Sequence, residues 1–105
     1  MSVQIPVKVD YASDPEKVEK VLLDLARRAQ GEIPGLLGEP EPSVKLIPGF
    51  GDHALEFSLS CSVGEYTDQF VVQHELRKRI FRRFAEEGIL LQPQAQTVYL
   101  LKQEG

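Results

Sequence analysis

Apolar and polar residues alternate from the start of the chain. Val3, Ile5, Val7 and Val9 fall on one parity, and Gln4, Pro6, Lys8 and Asp10 on the other. A period of two is that of a half-buried β-strand. Pro6 has no N–H for a sheet ladder, so either the strand starts after it or it sits where the missing donor does no harm.

The period then changes. In the segment YASDPEKVEKVLLDLARRA, Val18, Val21, Leu22, Leu25, Ala26 and Ala29 recur at steps of three and four. This spacing predicts an amphipathic helix of about four turns. Two starts compete: Ser13 with Glu16 as a capping box, and Asp14 before Pro15. Glu16–Lys20 and Asp24–Arg28 are spaced four apart with the acid first, the favourable order. Gly31 is the expected stop.

Residues 31–42, GEIPGLLGEPEP, hold three glycines and three prolines and read as a loop. SVKLI then reads as a short second strand, and PGFGD, residues 48–52, as a glycine-rich turn. In ALEFSLSCSV, Leu55, Phe57, Leu59, Cys61 and Val63 alternate with Glu56, Ser58, Ser60 and Ser62. That third strand has one covered face and one open or polar-contacting face, and it forms a hairpin with the second.

A second helix is expected from Thr67 or Asp68 to Glu87, with Gly88 as its C-terminal stop. A last strand, TVYLL, follows QPQAQ. Strand, helix, strand, strand, helix, strand is the split βαβ, ferredoxin-like plan. The expected fold class is therefore α+β: a four-stranded antiparallel sheet with two helices on one face. Residues 1–105 are read as a single domain without internal repeats.

Within the second helix, ELRKRIFRRFAEEGI places Arg77, Lys78, Arg79, Arg82 and Arg83 within seven positions. At 100° per residue, Leu76, Ile80 and Phe84 line the apolar face, with Val72 and Phe81 at its borders. Lys78, Arg79, Arg82 and Arg83 share a wide arc elsewhere, and Arg77 flanks the apolar face. Acids are interleaved at helical spacing as Glu75–Arg79, Arg82–Glu86 and Arg83–Glu87. From Glu75 to Glu87 there are five bases against three acids, a net of +2. Two uncompensated charges add little affinity for a polyanion, and no aromatic residue on the basic arc could stack a base. The run reads as a solvated or subunit-facing surface. Reversing Arg82 and Arg83 to Glu is expected to leave the fold intact.

Composition narrows the function. The 105 residues are 42% hydrophobic and 27% charged, as in soluble globular domains. The net charge of -4 disfavours nucleic-acid binding as the main task. A single cysteine, Cys61, excludes an internal disulfide and any paired-cysteine metal or redox motif. No apolar run reaches the roughly 18 residues of a membrane span. MSVQIPVKVD lacks the basic start and apolar stretch of a signal peptide.

Candidate chemistry is sparse. His53 and His74 stand alone, each read as a surface or hydrogen-bonded residue. Asp52 and His53 are sequence neighbours whose side chains diverge on extended backbone. Cys61 lies on an apolar strand face and reads as inert. The turn GFGD has no following helix to make a phosphate cradle. Ser58, Ser60 and Ser62 have no base beside them. RNA-binding domains of this fold require exposed aromatics on their central strands, whereas this strand shows Glu and Ser. The reading is no catalytic, cofactor-binding or metal-ligating residue, and no cofactor.

The ordered set of VKVDYASDPEKVEKVLLDLA, PEPSVKL, GFGDHALEFSLSCSV and HELRKRIFRRFAEEGILL with TVYLL resembles the C-terminal cytosolic domain of the MscS family of mechanosensitive ion channels. Tyr11–Asp14–Pro15, Pro42 with Val44, Phe50–Gly51–Asp52, Leu76/Ile80/Phe84 with Gly88–Ile89, and Val98–Tyr99–Leu100 carry the likeness. It implies an α+β domain without catalysis, copies of which form a hollow cage beneath a pore on the cytoplasmic side of the membrane. Family members often carry Pro-x-Pro-Gln where this chain has Gln92–Pro93–Gln94–Ala95, and the chain ends at Gly105 with little left for a terminal barrel strand. On this reading the chain is an excised domain or a truncated relative. It would not conduct alone, would be monomeric or weakly associated alone, and would meet the membrane only through parts not in this sequence. The alternative is a dimeric small-molecule-binding regulatory module holding its ligand at the loop Gly49 to Asp52. An acyl-phosphate hydrolase ranks third, since no loop offers an arginine-bearing phosphate cradle.

Overall fold

The computed structural model describes residues 1–91. Strand β1 is Ser2–Val9, helix α1 Pro15–Ala29, strand β2 Leu36–Leu37, strand β3 Ser43–Phe50, strand β4 Leu55–Val63 and helix α2 Asp68–Glu87. The structure is the expected α+β class: a four-stranded antiparallel sheet with two helices in a ferredoxin-like arrangement. β4 is central. β1 runs along one side of it, with Val3 opposite Cys61 and Val7 opposite Phe57. β3 and the short β2 run along the other.

The alternation read from the sequence is the alternation of burial. Val3, Ile5, Val7 and Val9 on β1, and Leu55, Phe57, Leu59, Cys61 and Val63 on β4, are all buried. Register puts both sets on one face. There they meet Val18, Leu22, Leu25, Leu76, Ile80 and Phe84 of the helices in one core. α1 packs over β3, α2 over β1, and the helices touch each other. Burying each large aliphatic or aromatic side chain contributes roughly 1.5–3 kcal/mol. The opposite face is polar, with a shallow hollow of about 290 Å³ lined by Gln4, Ser43, Lys45, Ile47, Ser58 and Ser60.

Four local details settle an open choice of the sequence reading or depart from it. The α1 cap is Asp14, whose carboxylate accepts from the Glu16 N–H at 3.0 Å, so the Ser13 capping box does not form. Pro15 at the first helical position has its φ preset for the helix, which favours this start. The loop 31–42 contains β2, because Leu36 can bury against the core while pairing with Val63. Leu36 and Leu37 had no periodicity to announce them.

The third detail is in β3, which continues through Pro48 and Gly49 to Phe50. Lys45 faces Ser58 and Gly49 faces Glu56, four residues along β3 against two along β4. The Pro–Gly pair thus makes a bulge, not the hairpin turn. Gly49 has φ +95, a conformation that suits glycine. The hairpin turn is Gly51–Ala54, closed by Gly51 N–H donating to the Ala54 carbonyl at 2.9 Å. The fourth detail is on α2, where of the two residues expected at the borders of the apolar face Val72 is fully buried and Phe81 is 67% exposed. α2 otherwise ends where expected, with Gly88 in the left-handed region at φ 74.

After α2 the chain returns to β1. Val9 pairs with Leu91 in an antiparallel bridge, and the Asp10 N–H donates to the Leu90 carbonyl at 3.0 Å. The strand expected at TVYLL lies outside the described residues.

Candidate functional site

Chemistry-bearing residues are dispersed. Asp52 and His53 are exposed in the hairpin turn, and His74 is exposed on α2. No group of three or more His, Cys, Asp or Glu that could hold a metal ion occurs among the described residues. Ser58 and Ser60 are half-buried on the open sheet face, and the buried Ser62 donates its hydroxyl to the Pro40 carbonyl at 3.3 Å. Cys61 is buried, and desolvation pushes its thiol up to about 11. A thiol held protonated in an apolar layer is a poor nucleophile.

The loop Gly49 to Asp52, where a ligand was considered, is tied into the protein. The Gly51 N–H is used in the turn. Its carbonyl accepts from the Tyr11 hydroxyl, and the Glu56 carboxylate lies so close that it would meet a Cβ on Gly51. Tyr11 therefore links the start of α1 to the hairpin.

The basic run of α2 is split by its surroundings. Three of the five cations have carboxylate partners. Lys78 pairs with Glu75 at 3.0 Å and Arg79 with Glu32 at 2.6 Å. Arg83 reaches both Asp24 of α1 at 3.0 Å and Glu87 at 2.8 Å. Asp24 also holds Arg28 at 3.0 Å, as its spacing predicted. Glu75 chooses Lys78 over Arg79, because Arg79 turns to the 31–42 loop. Glu16–Lys20 and Arg82–Glu86 do not form.

The pairs are visible in the titration of their members. The Arg83 guanidinium, hydrogen-bonded to Asp24, holds that carboxyl below its ordinary range, with Arg28 adding to it. The Lys78 ammonium does the same for Glu75. Glu87 and then Asp24 raise Arg83 further. Lys17 adds a last inter-helix contact by donating to the Glu87 carbonyl at 3.0 Å.

Among the described residues, Arg77 and Arg82 have no such partner. They flank the exposed Phe81, and with His74 and Lys78 these residues line a groove of about 430 Å³. Arg77 and Phe81 also reach the side of β1, where they line a second groove with Ile5 and Val7. The groove on α2 is a surface recess bearing cations and one aromatic ring. Arginine and aromatic side chains are residue types enriched at protein interfaces. Sequence reading missed the groove because helical projection placed Phe81 beside the core.

Comparison with known proteins supplies the wider frame. No curated protein matches the chain. A family model described as "Mechanosensitive ion channel MscS, C-terminal" matches residues 3–91, which spans β1, both helices and the β3–β4 hairpin. The family is one of channel domains, not of enzymes. None of the helices among the described residues is long and apolar enough to cross a membrane. The chain belongs to the MscS C-terminal domain family of mechanosensitive ion channels.

Proposed function

We propose that this chain is the cytoplasmic-side vestibule and assembly domain of an MscS-type mechanosensitive channel. In this role residues 1–105 act as a single domain, associate with further copies of themselves in a ring, and neither catalyse nor conduct. The observation that carries the reading is the family match across 3–91. Two features of the molecule support it. Its titratable residues are dispersed or engaged in pairs between α1, α2 and the 31–42 loop, which suits a scaffold. Its open sheet face is polar, with Ser58, Ser60, Gln4 and Lys45 available to a water-filled space.

The test is made on the native polypeptide. An antibody raised against the 105-residue chain is expected to detect a longer protein in the membrane fraction, and chemical crosslinking is expected to convert it into a ladder of homo-oligomers. A free-standing polypeptide of this length in the soluble fraction would overturn the proposal. So would a membrane protein that crosslinks only to unrelated partners.

A further inference from the structure

Opposite edges of the sheet carry complementary surfaces. On the β1 side, α2 presents Arg77 and Arg82, unpaired among the described residues, around Phe81, which is 67% exposed. On the far side, the segment joining β2 to β3 presents Glu39 and Glu41, both exposed. Among the described residues neither has a cationic partner within ion-pair distance, whereas Glu32 of the same loop is held by Arg79. The Ser62 hydroxyl, bonded to the Pro40 carbonyl between them, pins this acidic corner to β4. An apolar side chain accompanies it: Leu37, two residues before Glu39, is exposed at 42%. The only base on that stretch is Lys45, which faces the open sheet hollow.

An aromatic ring between two cations on one edge, and an aliphatic group beside two carboxylates on the other, are matched in both charge and polarity. Because the two patches differ and lie on opposite edges, they cannot form a two-fold self-contact. They can only join copies head to tail, the contact type that gives a ring where the rotation between copies closes and a filament where it does not. We propose that the Arg77–Phe81–Arg82 surface of one copy docks on the Glu39–Glu41 corner of the next. This deepens the ring reading above and rests on it for its biological setting.

Sedimentation velocity on the 105-residue chain tests the contact. Arg77, Arg82, Glu39 and Glu41 are exposed and, among the described residues, without ion-pair partners, so their substitution should leave the circular dichroism spectrum unchanged. The wild-type chain is expected to self-associate weakly, more at high protein concentration and less at high salt. R77E/R82E and E39K/E41K should each weaken association about tenfold or more. Mixing the two variants, or combining all four changes in one chain, should restore it, because both faces are then reversed together.

Association that is unchanged in either double variant, or that fails to return in the fourfold variant, overturns the contact. A wild-type chain that stays monomeric at the highest concentration also overturns it. Those results leave the channel reading to its own test on the native polypeptide. Conversely, rescue in the fourfold variant together with a free-standing native chain would keep the contact and sink the channel.

Discussion

Cys61 shows how one residue's chemistry is decided by its layer. Its parity on β4 puts it opposite Val3, in the same face as Leu59 and Val63. Desolvation disfavours the thiolate, and its acid dissociation is pushed up to about 11. A disulfide-exchange reagent at mildly alkaline pH is therefore expected to leave the native chain unlabelled and to modify one thiol per chain in denaturant. Rapid native labelling at the unfolded rate would show the residue exposed. Phe81 is the converse case. Its position three residues before Phe84 suggested partial cover, yet α2 is rotated so that Val72, Leu76, Ile80 and Phe84 form the buried line. A residue four positions from the next in that line is central to it, whereas Phe81 lies about 100° from Ile80 around the axis.

At the scale of elements, the two helices are held together by charge as well as by their apolar lines. Asp24 is the hub, receiving Arg28 from its own helix and Arg83 from α2. Its folded-state pKa lies below the ordinary 3.8. Its stabilising contribution is thus present at pH values above that ordinary value and is lost as pH falls through the lowered folded one. Asp24→Asn should lower stability at neutral pH and flatten the loss on acidification, so that its unfolding midpoint and the wild type's converge once the pH has fallen through the lowered folded-state value. Parallel curves at all pH values would assign Asp24 no part in the acid response. Arg83 shares this hub, so the two arginines of the proposed double reversal stand in different surroundings. Arg82 has no ion-pair partner among the described residues, whereas Arg83 ties α2 to α1.

At the scale of the whole molecule, the core is a single layer between helices and sheet, and Phe84 is its largest fully buried side chain. Phe84→Ala should cost about 3–5 kcal/mol through lost transfer energy and the cavity left behind. That is a large part of the stability of a domain this size. Chemical denaturation checks it: the midpoint should fall with the slope unchanged, and a change under about 1 kcal/mol would mean that the layer collapses around the gap. β1, α1, β4 and α2 were legible because each shows a period of two or of 3.6 over many residues. β2 was not, since two residues carry no period. β3 was cut short because Pro48–Gly49 is an ordinary turn signal. Only pairing with Glu56 and Leu55 beyond it makes the pair a bulge.

The candidate surface divides the same way. Its ingredients could be read from the chain: five bases in seven positions, an acidic stretch rich in proline, and no clustered catalytic groups. Alternation and helical spacing determined which faces are apolar, because burying them is the main favourable term and needs no knowledge of partners. Which charges remain free was decided only in three dimensions. Glu32 and Asp24 lie 47 and 59 positions before the arginines they hold, and only folding brings them within 3.0 Å. That pairing leaves Arg77 and Arg82 on one edge of the sheet, with Glu39 and Glu41 on the other.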